Sequence, residues 1–328
     1  MVNKMDKTND NNNDSIGLVL SGGGAKGAFQ VGAWRAICEL GLSNRISVIS
    51  GTSVGAINGA AIAVNQDADL LEKSWLENID SIPSDSLLQL IISIPELVKG
   101  FAQMIRGKAF PFPPLVNRDS IESILNKLLP FHWPETAPIL YTTALRFRGI
   151  AFDEFDPLSY SLTRFNIAQE SSSRLRLKKI LASAAIPWGF APVEIDGTRY
   201  IDGGWNEMGG ENIPVTPIFT QHPDIKTIIV VRCKSRSIDL ETISLPNGIK
   251  IIEIAPDKPL AGIFDSFIDT IPDAILQSQY FINANKLRSW SGVLAFQKEY
   301  IERYMKYGYY KSKEILQKYI FDMSELKW

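Results

Sequence analysis

The chain has 328 residues, 45% hydrophobic and 21% charged, a composition that fills a sizeable core and suits one large domain or two ordinary ones. Its 34 lysines and arginines against 36 aspartates and glutamates leave a formal charge of −2, so no basic excess announces a nucleic-acid partner. The 2 cysteines, Cys38 and Cys233, fit neither a paired zinc-ligand spacing nor a disulfide framework, which argues against a metal site and for a reducing compartment.

Residues 1–15, with their run of asparagines and aspartates, read as a disordered polar lead-in that lacks the apolar stretch of a signal peptide. No run of ~18 apolar residues follows, so the expectation is a soluble, cytoplasmic chain that can still lie peripherally on a bilayer. Ile16 to Leu20 is a short β-forming run ending in glycines, which predicts a buried parallel strand entering a tight turn. From Ala28 to Leu40 the period changes, with Val31, Trp34 and Cys38 at helical spacing and Gly41 as a C-terminal cap. Ile46 to Ile49 predicts a second strand, and Val54, Ile57, Ala61 and Val64 a second helix. Two consecutive βα units imply a parallel sheet covered by helices.

Leu87 to Phe112 is apolar but broken by Pro95 and Gly100 and fringed by Lys99, Arg106 and Lys108; it predicts one or two short amphipathic helices. They serve either as core or cap, or as a membrane contact or acyl-chain tunnel. Further strands are expected at Ile139 to Phe147, Tyr200-Ile201, Thr227 to Cys233 and Ile249 to Ile254, for a sheet of five or more strands. Helices at Ala274 to Trp290 and Gln297 to Tyr319 close the chain. Tyr300, Tyr304, Tyr307, Tyr309 and Tyr310 mark either an interface or helical packing. With no linker or repeat in view, residues 16–328 read as a single α/β domain, helical from about residue 260.

Two glycine-rich turns carry chemistry. Gly22-Gly23-Gly24-Ala25-Lys26-Gly27 lies between strand and helix, where free backbone N–H groups and the helix dipole favour an anion or a developing oxyanion. The same letters satisfy a dinucleotide-binding pattern, yet the second strand ends in Ile49-Ser50 where that pattern wants an acid for the ribose. A Walker loop fails too, because Lys26 is followed by Gly27 and not by a hydroxyl. Gly51-Thr52-Ser53-Val54-Gly55 fits a nucleophile elbow, with Ser53 either the nucleophile or a helix N-cap.

A serine nucleophile needs a base, and the 2 histidines, His132 and His222, sit in proline-flanked turns of no catalytic pattern. A carboxylate serves if burial raises its pKa. Asp202 is the best placed: it closes the strand Arg199 to Ile201 and precedes Gly203-Gly204, although an aspartate there can also simply cap its own turn.

Taken in order, Gly22 to Gly27, Gly51 to Gly55 and Asp202-Gly203-Gly204 resemble the patatin-like phospholipase family. Ala182-Ser183-Ala184-Ala185-Ile186-Pro187 is similar to that family's A-S-x-x-x-P stretch, so the resemblance spans about residues 16 to 215. It implies an α/β three-layer sandwich with a mostly parallel sheet. It also implies a lipid acyl hydrolase with a Ser–Asp dyad, no cofactor or metal in its chemistry, and phospholipid or another acyl ester as substrate at a membrane surface. Ser53 would be the nucleophile, Asp202 the base, and Gly22, Gly23 and Gly24 with Ala25, Lys26 and Gly27 the oxyanion loop. Lys26 either assists that loop or is solvated. Trp205 to Glu211 intervenes before Asn212-Ile213-Pro214, a longer loop than the family's pattern, which puts dyad geometry in question. Alternatives are an esterase on soluble or neutral-lipid esters, a nucleotide-binding protein using the glycine loop, and a membrane scaffold with an idle dyad. An activating protein or small ligand leaves no mark in the sequence.

Overall fold

Strand β1 (Ile16–Leu20) explains its own composition. Ile16, Leu18 and Leu20 enter one apolar layer while Val19 enters another, so no residue of the strand faces water. In the computed structural model, residues 15–78, 118–147, 160–186, 189–206, 209–235, 246–260 and 297–325 are described. Residues 1–14 of the lead-in, Leu87 to Phe112 and Ala274 to Trp290 lie outside them.

A single 3₁₀ turn (Gly24–Lys26) joins β1 to α1 (Gly27–Glu39). Then come β2 (Ile46–Thr52), α2 (Val54–Asn65), α3 (Ala68–Asn78) and α4 (Asp119–Leu128). Strands β3 (Ile139–Phe147) and β4 (Tyr160–Asn166), helix α5 (Ser173–Ser183), and strands β5 (Val193–Ile195) and β6 (Thr198–Asp202) follow. The described chain ends with α6 (Thr216–Gln221), β7 (Thr227–Val231), β8 (Lys250–Ile254) and the long α7 (Lys298–Glu325).

These strands form an 8-stranded sheet in the order β5-β6-β3-β2-β1-β7-β8, with β4 on β3. The stretch from β3 through β2, β1 and β7 to β8 is parallel; β4, β5 and β6 pair antiparallel. One face is covered by α1, α2, α5 and α7, the other by α6 and the chain before it, giving the expected α/β sandwich with a mostly parallel sheet. Several boundaries differ from expectation: β6 is longer than Tyr200-Ile201, β8 begins at Lys250, and the last helix runs on past Tyr319 to Glu325. Strand β2 runs on to Thr52, because Gly51 and Thr52 keep the ladder register with β3. Strand β7 stops at Val231, and Cys233 turns in so that its N–H donates to Ser21 Oγ at 2.9 Å.

One feature of β3 positions everything that follows. Strand β4 takes one edge of β3 from Tyr141 to Phe147, so β2 and β6 must share the other. Strand β2 runs up that edge until Thr52 stands opposite Thr143; β6 comes from the opposite direction until Asp202 stands opposite Ala144. The two strand ends meet head-on at neighbouring residues.

Of the C-terminal tyrosines, Tyr304 is buried, Tyr307 packs edge-on to Phe29 at 5.6 Å, and Tyr309 donates to Glu39 at 2.7 Å, which is helical packing; Tyr310 is exposed.

Candidate active site

Between the end of β2 and the start of α2 a single residue makes the turn. Ser53 has φ 58° and ψ −127°, a backbone conformation costly for a side-chain-bearing residue and characteristic of a nucleophile elbow. So sharp a corner brings backbone against backbone. A Cβ on Gly51 would lie 2.3 Å from the Gly55 carbonyl oxygen, and one on Gly55 2.2 Å from that of Leu20, which is why glycine flanks the serine on both sides. The Ser53 hydroxyl makes no capping hydrogen bond to α2, so the N-cap alternative does not describe it.

Asp202, at the meeting point of β6 with β2, is buried. Its Oδ1 accepts the Gly204 N–H at 2.7 Å, so it does cap its own turn, with one oxygen. Oδ2 is buried without a partner of ordinary hydrogen-bond geometry, and the Ser53 hydroxyl is the side chain near enough to act on the carboxyl as a donor. Burial pushes the carboxyl up to about 6 from 3.8, with Ser53 and Gly204 pulling it partly back. Neither histidine acts on it. His222 pairs with the Tyr141 hydroxyl at 3.1 Å, and burial lowers its pKa; His132 is exposed beside Phe131.

Sequence reasoning gave Ser183 no role of its own. At the end of α5 its Oγ accepts the Ser53 N–H at 3.0 Å, and two residues later the Ala185 carbonyl accepts the Asp202 N–H at 2.9 Å. One short stretch therefore holds the backbone of both residues. The A-S-x-x-x-P pattern was the available signal; Pro187 lies outside the described residues.

Gly22 lies against this pair, since a Cβ there would be 3.1 Å from Ser53 Cβ and 2.5 Å from Asn212 Oδ1. Its N–H differs from expectation: it donates to the Asn212 carbonyl at 3.2 Å and is not free for an anion. The Lys26 N–H turns back to the Gly23 carbonyl, and the Gly27 N–H to those of Gly24 and Ala25. The amides of Gly23, Gly24 and Ala25 have no acceptor among the described residues. Gly24, at φ 56°, supplies the left-handed step that opens the loop. Lys26 is 1% exposed, so it is not solvated.

The longer loop after Gly204 closes on itself. The Gly210 N–H donates to the Trp205 carbonyl and the Glu211 N–H to the Gly203 carbonyl, each at 2.8 Å, while Thr52 Oγ1 donates to the Glu211 carbonyl at 2.7 Å. Arg164 pins the Glu211 carboxylate at 2.8 Å. These contacts set Asn212 between Gly22 and Gly204.

Residues 18–217 match the Patatin-like phospholipase family. The chain belongs to it. Among patatin-like relatives, "Patatin-like phospholipase domain-containing protein 7" of Rattus norvegicus is 37% identical over 90 residues, 26% of this chain and 6% of the rat protein. "Lysophospholipase NTE1" of Kluyveromyces lactis is 28% identical over 213 residues, 62% of this chain and 12% of the yeast protein. The matched stretches are thus a small part of those curated relatives. Among solved structures, human GIVD cytosolic phospholipase A2 superposes over 93% of this chain and 62% of its own with a TM-score of 0.49 and 10% identity. For VipD of Legionella pneumophila the values are 93%, 67%, 0.44 and 14%. No described helix is long and apolar enough to cross a membrane.

Proposed function

We propose that this chain hydrolyses fatty-acyl ester bonds of membrane phospholipids, as a phospholipase A or lysophospholipase, through an acyl-serine intermediate formed by a Ser53–Asp202 dyad. The observation that carries the reading is a strained elbow serine whose hydroxyl faces a buried carboxyl raised to about 6. A carboxylate of that basicity accepts a proton at neutral pH far better than an ordinary aspartate while still being mostly ionised.

Ser53 Oγ attacks the ester carbonyl carbon as its proton passes to Asp202 Oδ2. The tetrahedral oxyanion is received by the amides of Gly23, Gly24 and Ala25, each such donor being worth about 3 kcal/mol in comparable sites. The buried Lys26, whose positive charge acts on Cys233 beside Gly23, adds positive potential. Collapse breaks the ester C–O bond, and Asp202 returns the proton to the leaving alcohol. Asp202 then takes a proton from water as its oxygen attacks the acyl-serine; the acyl C–Oγ bond breaks, Asp202 returns the proton to Ser53 Oγ, and the fatty acid leaves.

Ser53→Ala is expected to lower fatty-acid release from phosphatidylcholine vesicles by about 10³-fold or more and to abolish labelling by a fluorophosphonate, with an unchanged circular dichroism spectrum. Mass spectrometry of the products assigns the acyl position. Release from a monomeric soluble ester that equals or exceeds release from vesicles would favour the esterase alternative, and full turnover by Ser53→Ala would remove the dyad.

A further inference from the structure

Gln30 and Asn58 lie outside every glycine and serine motif, yet they are among the most deeply buried polar side chains, at 1% and 0% exposure. Amides that deep destabilise the fold unless their hydrogen bonds are made. Here they form one directed chain. Trp75 Nε1 donates to Asn58 Oδ1 at 2.9 Å, Asn58 Nδ2 donates to Gln30 Oε1 at 2.9 Å, and Gln30 Nε2 donates to the Ser21 carbonyl at 2.7 Å. Asn58 Nδ2 also donates to the Gly27 carbonyl at 3.0 Å. The polarity is set by the two ends, because an indole N–H can only donate and a backbone carbonyl can only accept.

The chain's termini matter more than its middle. Ser21 is the residue before the glycine loop and Gly27 the residue after Lys26, so the two amides grip the loop at entry and exit. Asn58 belongs to α2, the helix that begins at the residue after Ser53. The loop that carries the free amides is therefore tied to the helix that carries the nucleophile, with α3 anchoring the far end through Trp75.

We infer that Gln30 and Asn58 are positioning residues that fix the oxyanion loop against the nucleophile helix in this hydrolase. The inference rests on the dyad reading above. A purely packing role predicts lower stability alone. A positioning role predicts a loss confined to the transition state, because the Michaelis complex does not yet carry the oxyanion.

The test compares wild type, Gln30→Met and Trp75→Phe on a chromogenic acyl ester and on phosphatidylcholine vesicles, with thermal melts and the rate at which a fluorophosphonate phosphonylates Ser53. Gln30→Met, which keeps the shape and removes the amide, is expected to lower kcat and the phosphonylation rate by about 10- to 100-fold with KM within threefold, the range for a displaced catalytic group. Trp75→Phe, at the half-buried end, is expected to lower kcat by about 3- to 10-fold, again at constant KM. It decides the matter if Gln30→Met does not fold. A folded Gln30→Met with kcat within twofold of wild type, a loss that appears in KM alone, or an unaffected Trp75→Phe overturns the inference and leaves the hydrolase standing. Wild-type protein that neither turns over esters nor takes the fluorophosphonate overturns both.

Discussion

Asp202→Asn is expected to abolish ester hydrolysis and, above pH 6, to make the protein more stable than wild type. The carboxyl is buried with one oxygen unpartnered, and its pKa stands at about 6 against 3.8 in an exposed chain. The folded state therefore holds this proton more tightly than the unfolded state. The stability that goes with it is fully present below about pH 4 and is lost as pH rises from there through about 6. Once ionised, the group costs the fold roughly 3 kcal/mol. An asparagine removes that cost, so thermal melts of the variant should exceed those of wild type at pH 8 and converge with them near pH 4. Activity moves the other way: kcat/KM of the wild type should rise with pH along an acid limb of apparent pKa near 6. A melting temperature for Asp202→Asn that is lower than wild type at pH 8 would mean the carboxylate is stabilised by something other than the groups described.

Gly32→Ala and Gly308→Ala are expected to be among the most damaging substitutions outside the site. Helix α1 leads directly out of the glycine loop, and α7 crosses it in backbone contact. A Cβ on Gly32 would stand 1.8 Å from the Met305 carbonyl oxygen, and one on Gly308 would stand 2.0 Å from that of Phe29. Neither obstacle is a flexible side chain that can swing aside, so the helices must separate along their length. Overpacking of this kind costs about 3 kcal/mol or more, although alanine is otherwise the better helix former. The midpoint of urea unfolding should fall for both variants, and limited proteolysis should cut α7 first. Wild-type midpoints would show that the crossing is more open than described.

The fold was most legible where local pattern and burial coincide. Strand β3 was readable to the residue, since Ile139 to Phe147 is a long β-forming run bounded by turns. Both βα corners were readable because glycine there answers a backbone requirement visible in the letters alone. Strands β4 and β5 were not. The first carries alternating polar residues that suit a loop as well as a sheet, and the second is three residues long. The Gly22 amide was also misassigned by pattern, because its acceptor, the Asn212 carbonyl, comes from a loop nearly two hundred residues later in the chain. Gln30 and Asn58 gave no signal, since a lone amide at a helical position looks solvent-facing until the partner helices are in place. Ser183 had a signal without a meaning: the pattern around it was recognisable, but only tertiary structure brings its oxygen to the Ser53 amide.

The shared edge of β3 sets the tolerance of the whole site. The spacing of hydroxyl and carboxyl is written into ladder register, and a slip of one residue in either opposing strand would shift one of them by about 3.4 Å and turn its side chain to the other face, beyond hydrogen-bond reach. The connecting segments carry none of that burden. Insertions such as the one after Gly204 can lengthen or shorten while the hydroxyl and the carboxyl keep their places, because the ladder and not the loop sets their spacing.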